Sequence, residues 1–509
     1  MNRIIKFTLL FFLCLNVVFA AWYLLHGDIF FNTDIARDFL LLDELQLRKF
    51  VLIGPRASGL NGFFHGPLWM YLNFPVYLLS KGDPLVQGWF WFGLLVTYLG
   101  GSYFLWKKKI GEDKALIFVT LLSLFFTIDP DQGFSNGFYN PFGALFLMPF
   151  YMYLFHSYWT EKKALHLISL LFLNGLIIQF QIAFGAPLLI LSSGLILWNI
   201  VKTKKFFHIC SYLILLIPAS TYIIFDLRHN FSHFKAIFMA PPNPFIEKLD
   251  FFTMIMQRSE MILYSGLHFF RLPFTQLNVV LTICISFIIY FIFIHKKEKI
   301  YLYFFVYFFL GYFTLSLTHN GWVMYFYWMQ IYPITFLFFA HSQNILKKEI
   351  YYSVLFFVII VNSLFNFYNV KRSSSFIGVD KNSWKFQLSM VETIFKNAKD
   401  KEFGFFIYAP DIFGYASKYP FAYLQKKYPE VKMSIYEKRP ITYLIVEPPP
   451  KQQPQFIPDW WIKNKLHIAT NAAEMSFFNN GFKIEKYVLK GEDLSTPIEP
   501  GINDWVYFR

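Results

Sequence analysis

Long apolar runs recur along most of this chain, and their recurrence constrains the fold more than any other feature. The first run starts behind Arg3 and Lys6 and continues through "AWYLL". Further runs lie at 87–106, 114–129, 138–158, 163–180, 183–201, 206–225, 276–295, 300–317, 321–343 and 350–369. Most are close to the roughly 20 residues that a spanning helix needs. With 56% hydrophobic and 15% charged residues, the chain reads as an α-helical polytopic membrane protein.

The first run has two readings. Its basic start and the small residues of "VFA" resemble a signal peptide. The run continues past Ala20 to the length of a spanning helix, which favours an uncleaved first helix.

The basic residues of the short loops predict the orientation. Lysines cluster at 107–109, 162–163, 202–205, 296–299 and 347–348, whereas "DPDQGFSNGFYNP", "QIAFGA" and "THNG" contain no Lys or Arg. This alternation follows the positive-inside rule if residues 67–80 form a re-entrant or interfacial helix. The prediction is about eleven spanning helices, with the N-terminus inside and the C-terminus outside. The net charge of +14 then reflects membrane topology and does not indicate a nucleic-acid partner.

Three regions are predicted to lie outside. They are the loops 26–86 and 226–275 of a transmembrane domain, 1–370, and a small extracytoplasmic α/β domain, 371–509. In that domain a helix is predicted from Trp384 to Lys399, with Ser383 as its N-cap, and "FGFFIYA" and "ITYLIVEP" read as strands. The tract "EPPPKQQPQ" reads as a loop.

The first outer loop carries two carboxylates just behind the first apolar run. Asn32 or Thr33 can cap a helix that begins near Asp34, and Asp34 and Asp38 would then lie one turn apart on one face. One reading is an acidic first turn on an interfacial helix. The other is a pair that accepts a proton or binds a metal ion. Arg37 is positioned to pair with either carboxylate.

The same loop resembles the GT-C membrane glycosyltransferases. The resemblance is carried by an aspartate near its start, a helix, a Gly/Pro turn and the aromatic segment "PLWMYL". It is similar to bacterial members of the dolichyl-phosphate-mannose protein mannosyltransferase type and to the lipid A aminoarabinose transferase. Those enzymes typically carry Asp-Glu at the start and Lys-Pro-Pro at the end, where this chain has Asp34-Ile35 and His65-Gly66-Pro67.

The resemblance implies a glycosyltransferase that uses a polyprenyl-phosphate-linked sugar on the outer face of a bacterial cytoplasmic (inner) membrane. Asp34 keeps the acidic position, Asp38 substitutes for the second acidic residue, and both are catalytic candidates. Such a site needs cations for the departing phosphate. The candidates for substrate binding are Arg37, Arg56, His65, Arg228, His229 and Lys235, each of which can also be read as a surface charge. The expected partners are the donor, membrane lipids and a glycan, lipid or protein acceptor.

Cofactor use stays open at this stage. Cys14, Cys210 and Cys284 lie inside apolar runs without metal-ligand spacing. One or two aspartates suffice for a general base, but they supply few of the oxygen ligands that a divalent ion needs. No cofactor is therefore assigned, and a divalent ion remains an alternative.

Two other functions compete with sugar transfer. A lipid-sugar flippase or transporter would carry ionisable residues inside its spanning helices, whereas these runs are almost free of charge. A noncatalytic assembly or polymer-ligase membrane protein would not need Asp34.

Overall fold

The chain folds into two compact units. The computed structural model describes residues 1–56, 63–126, 138–238, 248–261, 299–319, 321–323, 327–344, 346–398, 402–411, 413–449 and 457–502. The first unit contains 1–22, 50–72 and 91–371, and the second contains 23–49, 73–90 and 372–509. The second unit therefore combines the start of the predicted first outer loop with the C-terminal region. The division into domains 1–370 and 371–509 stays a prediction.

Helices dominate the chain up to residue 373. They are α1 (Arg3–Ala20), α2 (Trp22–Leu25), α3 (Thr33–Arg48), α4 (Leu68–Leu79), α5 (Pro84–Ile110), α6 (Glu112–Ser123), α7 (Asn140–Glu161), α8 (Ala164–Phe180), α9 (Ile182–Thr203), α10 (Leu216–Arg228), α11 (Ser232–Phe238), α12 (Phe251–Met261), α13 (Lys299–Ser316), α14 (Tyr332–His341) and α15 (Lys348–Ser373). Apolar runs fold this way because a helix satisfies its own backbone hydrogen bonds in lipid. The predicted run 276–295 lies outside the described residues.

Several helices are suited to a bilayer. In the described ranges, four stretches are long and apolar enough to cross it: Arg3–Ala20, Ile182–Thr203, Phe206–Arg228 and Lys348–Ser373. The second half of the third stretch is α10, which follows a 3-10 helix, Phe206–Leu215. Helix α4 has 12 residues, or about 18 Å at 1.5 Å per residue, which is less than the roughly 30 Å of a hydrocarbon core. The number of spanning helices stays a prediction.

Polar side chains inside the first unit connect neighbouring helices. Asn366 Nδ2 donates to Asn16 Oδ1 at 3.2 Å and joins α15 to α1. Gln179 Nε2 donates to the Pro218 carbonyl at 2.6 Å and joins α8 to α10. Such bonds remove the cost of leaving an amide unsatisfied in an apolar surrounding.

Within its described residues, the C-terminal part of the second unit is built on a five-stranded sheet in the order β2-β1-β3-β5-β4. Its strands are β1 (Phe403–Tyr408), β2 (Met433–Ile435), β3 (Ile441–Val446), β4 (Glu474–Phe477) and β5 (Lys483–Val488). Strand β1 pairs in parallel with β2 and β3, whereas β5 is antiparallel to both β3 and β4. The two strands predicted from sequence, β1 and β3, are central, and nearly all their residues are buried.

Helices α16 (Trp384–Ala398), α17 (Tyr415–Lys427), α18 (Pro458–Asn464) and α19 (Gly491–Ser495) complete this part. The predicted cap is present, because Ser383 Oγ accepts a hydrogen bond from the Phe386 N–H at 3.1 Å. Phe405 of β1 stacks on Phe421 of α17 with ring centroids 3.8 Å apart. The C-terminal part of the unit is thus a small α/β fold.

Candidate active site

Helix α3 begins at Thr33, directly after Asn32, which is one of the two caps that the sequence offers. Asn32 is extended, and its Oδ1 accepts a hydrogen bond from the Ile35 N–H at 3.0 Å. This bond satisfies one of the free N–H groups of the first turn. Asp34 lies in that turn, where the helix dipole favours a carboxylate. Leu41 and Leu45 continue its face into buried surface.

Arg37 joins the two candidate carboxylates. Its Nη1 donates to Asp34 Oδ1 at 2.7 Å, and its Nη2 and Nε donate to Asp38 Oδ1 at 2.8 and 3.1 Å. The Asp34 side chain is 46% exposed, whereas that of Asp38 is only 6% exposed. Asp34 is therefore the carboxylate that solvent or a substrate can reach, and Asp38 is the one that orients Arg37.

The electrostatics of this triplet keep the arginine charged. Burial by itself lowers the pKa of Arg37, but the charges of Asp38 and Asp34 outweigh burial and raise the pKa above its usual value. The pairing predicted for Arg37 is present and involves both carboxylates. Its guanidinium suits this task, because the planar fork can bond two acceptors in fixed directions.

A second ion pair holds the middle of α3. Asp43 pairs with Lys426 of α17. Tyr77 of α4 bonds to both, donating from Oη to Asp43 Oδ1 at 3.1 Å and accepting from Lys426 Nζ at 2.8 Å. This cluster could not be predicted from the sequence, because its members come from three distant segments.

Arg56 and His65 lie on two short antiparallel segments of the first unit. The backbone of Arg56 pairs with that of Phe64, and the Gly54 N–H donates to the His65 carbonyl at 2.8 Å. A Cβ at Gly54 would lie 2.3 Å from the Gly66 carbonyl oxygen. Glycine is therefore required for this close approach.

Arg228, His229 and Lys235 are exposed at the end of α10 and in α11. The His229 ring stacks on Phe225 at 4.1 Å, and its Nδ1 lies 2.8 Å from the Phe225 carbonyl. A carbonyl only accepts hydrogen bonds, so Nδ1 carries the proton. Buried Asp226 caps α11 by accepting from the His233 N–H at 2.8 Å.

His233 links these two basic segments, a role that no sequence pattern predicted. Its Nε2 donates to the Phe64 carbonyl at 3.0 Å, and its ring lies between those of Phe63 and Tyr222, at 4.6 and 5.0 Å. Burial lowers the pKa of His233, so the ring is neutral at pH 7. It is a connector that places the segments of His65 and Arg228 beside each other.

A buried arginine, Arg258 of α12, was also missed. It is 0% exposed and donates to the carbonyl oxygens of His319 and Gly321 at 2.8 and 2.6 Å. Burial lowers its pKa. Its Nε and Nη2 donate to the carbonyl oxygens of Ser316, His319 and Gly321, and its Nη1 bonds to the side-chain oxygen of Gln257, so the guanidinium joins α12 to residues at and beyond the end of α13.

The structure brings the predicted residues together in two groups. Asp34, Arg37 and Asp38 belong to the second unit, whereas Arg56, His65, Arg228, His229 and Lys235 belong to the first. Across the described residues, no cluster of three or more His, Cys, Asp or Glu side chains could hold a metal ion.

The fold, in contrast to the sequence, has a known counterpart. No protein-family model and no curated protein sequence matches the chain. The crystal structure of ArnT from Cupriavidus metallidurans bound to undecaprenyl phosphate aligns over 96% of this chain and 99% of that chain, with a TM-score of 0.53 and 8% identity. The chain shares the ArnT fold. ArnT is a GT-C lipid A aminoarabinose transferase, so the resemblance inferred from the first loop is confirmed at the level of the fold.

One departure from the pattern of the resembling enzymes, at Ile35, has a structural explanation. The position after Asp34, where the family typically carries glutamate, is Ile35, which is 1% exposed and packs into the core. A carboxylate there would be desolvated. The next acidic residue along α3 is Asp38, and Arg37 connects it to Asp34.

Proposed function

We propose that this protein is a GT-C glycosyltransferase that moves a sugar from a polyprenyl-phosphate-linked donor to an acceptor hydroxyl on the outer face of the membrane. The observation that carries the proposal is the Asp34–Arg37–Asp38 triplet at the start of α3, in a chain with the fold of ArnT. The solved ArnT structure is bound to undecaprenyl phosphate, which supports a lipid-linked donor.

In the proposed reaction, Asp34 accepts the proton of the acceptor hydroxyl. The acceptor oxygen forms a bond to the anomeric carbon of the sugar, while the bond from that carbon to the phosphate oxygen breaks and the polyprenyl phosphate leaves. Asp34 suits the role because its side chain is 46% exposed and Arg37 bonds to its Oδ1. Its second oxygen can then face the acceptor.

Asp38 and Arg37 support the base in this proposal. Asp38 receives two of the three hydrogen bonds of Arg37, which fixes the guanidinium. Arg37 in turn fixes Asp34. A general base works only if its oxygen is held in a productive position, so loss of either residue should slow turnover.

The departing phosphate is assigned to the basic group of the first unit. Arg228, His229 and Lys235 are exposed, and Arg56 and His65 lie on the segment that His233 joins to theirs. Cations that contact the phosphate would stabilise the charge that develops on it as the sugar departs. Arg228 is the strongest candidate, because a guanidinium can contact two phosphate oxygens.

A donor panel tests the proposal. The purified chain in lipid nanodiscs is incubated with polyprenyl-phosphate sugars that carry a radiolabel in the sugar, together with glycan, lipid or peptide acceptors. The expected result is release of polyprenyl phosphate and transfer of label to one acceptor class, with Asp34→Asn as the inactive control. In a second assay the chain is reconstituted into proteoliposomes. Movement of intact donor across their membrane without cleavage would indicate a flippase instead.

A further inference from the structure

The segment 28–33, which leads into α3, begins at a buried carboxylate outside the triplet. Asp28 is 0% exposed. It accepts hydrogen bonds from the N–H groups of Ile29, Gly378 and Lys385 at 2.8, 3.0 and 3.0 Å, and from Ser383 Oγ at 2.5 Å. Three of the four donors belong to residues 378–385, so the carboxylate ties the start of the first loop to the beginning of α16.

The backbone that follows Asp28 is paired as well. The Phe31 N–H donates to the Asn382 carbonyl at 2.6 Å, and the Trp384 N–H donates to the Ile29 carbonyl at 3.2 Å. Residues 29–31 therefore lie antiparallel to residues 382–384 around an isolated β-bridge between Phe30 and Ser383, and a shift along this pairing would break both bonds.

Aromatic packing fixes the same segment from its side-chain face. The Phe31 ring lies 4.9 Å from that of Trp384, 5.9 Å from that of Tyr419 and 5.7 Å from that of Phe39 on α3. Phe31 is 0% exposed. The segment and the first turns of α3 thus pack on one aromatic cluster.

A side-chain hydrogen bond holds the far end of the segment, at Thr33. Thr33 is the first residue of α3 and precedes Asp34, and its Oγ1 donates to Asp411 Oδ2 at 2.6 Å. Asp411 is oriented by bonds to its Oδ1 from the N–H groups of Gly414 and Phe413, at 2.8 and 3.1 Å.

We propose that Asp28 and Asp411 are positioning residues for Asp34, so that the C-terminal region directly sets the geometry of the catalytic helix. This inference rests on the proposed function of Asp34. A carboxylate that takes a proton must be held within a fraction of an ångström of its working position. The bonds of Asp28 and Asp411 lie on either side of Phe31. They hold the start of α3 against residues 378–385 and against Asp411, which follows β1.

The test uses the Thr33–Asp411 bond, because Thr33 is at the surface of the unit and can be replaced with little risk to folding. Thr33→Val removes the hydroxyl at nearly constant volume, and Thr33→Ser keeps it. We expect Thr33→Val and Asp411→Ala each to lower kcat about 10-fold without changing the donor KM. The kcat of the double variant should be no lower than that of either single variant, because the two side chains act through one bond. Thr33→Ser should restore kcat.

Thr393→Val is the matched control. Its hydroxyl donates within its own helix, to the Ser389 carbonyl at 3.0 Å, so the same chemical change should leave kcat unaltered. An equal fall of kcat in Thr393→Val and Thr33→Val would show that the fall reflects general stability, and it would overturn the proposal.

Hydrogen exchange supplies a readout that does not depend on activity. Thr33→Val, and more strongly Asp28→Asn, should raise exchange of the amides of residues 34–37 and leave the amides of β1 and β3 protected. Unaltered exchange together with unaltered kcat in Thr33→Val refutes the positioning role. If instead Asp34→Asn transfers sugar normally, the proposed role of Asp34 as the base fails, and hydrogen exchange alone decides whether the bonds of Asp28 and Asp411 position α3.

Discussion

At the scale of single residues, the geometry of the triplet depends on Arg37. A lysine would keep the charge but not the fork that reaches Asp34 and Asp38 together. We therefore expect Arg37→Lys to lower kcat about 10-fold with little change in donor KM. Arg48→Lys is the control, because Arg48 lies on the same helix and pairs with Glu44. Full activity of the Arg37→Lys protein would remove Arg37 from the mechanism.

Arg228 is proposed to contact the phosphate of the lipid-linked donor. Removing one charged hydrogen bond to the lipid phosphate should cost about 2 kcal/mol, or roughly 30-fold in donor affinity. Because the phosphate is common to all acceptors, Arg228→Ala should leave acceptor preference unchanged. Equilibrium binding of polyprenyl phosphate measures this, with Arg439→Ala, between β2 and β3, as the control. An unchanged donor Kd would take Arg228 out of the site.

Local residues of the site were predictable and distant ones were not. The cap at Asn32, the shared face of Asp34 and Asp38 and the pairing of Arg37 follow from spacings of one to four residues in a helix. Asp28, Asp411 and His233 were missed, because their partners are more than 100 residues away in sequence. A long-range partner leaves no periodic pattern in the chain.

At the scale of elements, the end of β3 carries an unusual carboxyl group. Ser417 Oγ lies 3.0 Å from Gln387 Oε1 and 3.1 Å from Glu447 Oε1. The amide of Gln387 is oriented by its bond from Nε2 to the Lys381 carbonyl at 2.7 Å. One hydroxyl proton cannot serve two acceptors, so the network is complete when Glu447 is protonated and donates to Ser417. Burial and the nearby charge of Asp411 raise the pKa of Glu447 to about 7.

This raised pKa predicts a pH-dependent stability. The folded state holds the proton of Glu447 more tightly than the unfolded state, whose pKa is near 4.5. The stabilisation is therefore complete below about pH 4.5 and is lost as the pH rises through about 7, with an upper bound of about 3 kcal/mol. Thermal unfolding at pH 5 and pH 8 should show a smaller difference for Glu447→Gln than for the unaltered protein.

The exposed Glu474 of β4 provides the control for this measurement. Its side chain is 62% exposed, so Glu474→Gln should keep the pH dependence of the unaltered protein. Identical pH dependence in Glu447→Gln and the unaltered protein would contradict the shared-proton network.

Element boundaries were predicted best where one pattern extends over many residues. The apolar runs match α5, α8, α9, α13 and α15 closely, and the runs read as strands are β1 and β3. The pairing of β3 with β5, antiparallel in an otherwise parallel centre, could not be predicted, since strand neighbours depend on the whole sheet.

At the scale of the whole molecule, the lysine pattern predicts the topology. In a background in which Cys14, Cys210 and Cys284 are replaced, Lys108→Cys and Lys204→Cys should resist an impermeant thiol reagent in intact cells, whereas Glu437→Cys should react. All three positions are exposed in the fold, so burial does not account for a failure to react. Labelling at residue 108 in intact cells would show that the orientation is the reverse of the predicted one.

The central claim, that Asp34 is the base for sugar transfer, is tested most directly by single-turnover transfer from the labelled donor identified in the panel. The unaltered protein, Asp34→Asn and Asp38→Asn are compared at matched amounts. Asparagine keeps the size of the side chain but cannot accept the proton, so Asp34→Asn should retain donor binding and slow transfer by about 100-fold or more, and Asp38→Asn should cost less. Near-normal transfer by Asp34→Asn would contradict the account. If only Asp38→Asn loses sugar transfer, Asp38 is the base and Asp34 the supporting residue.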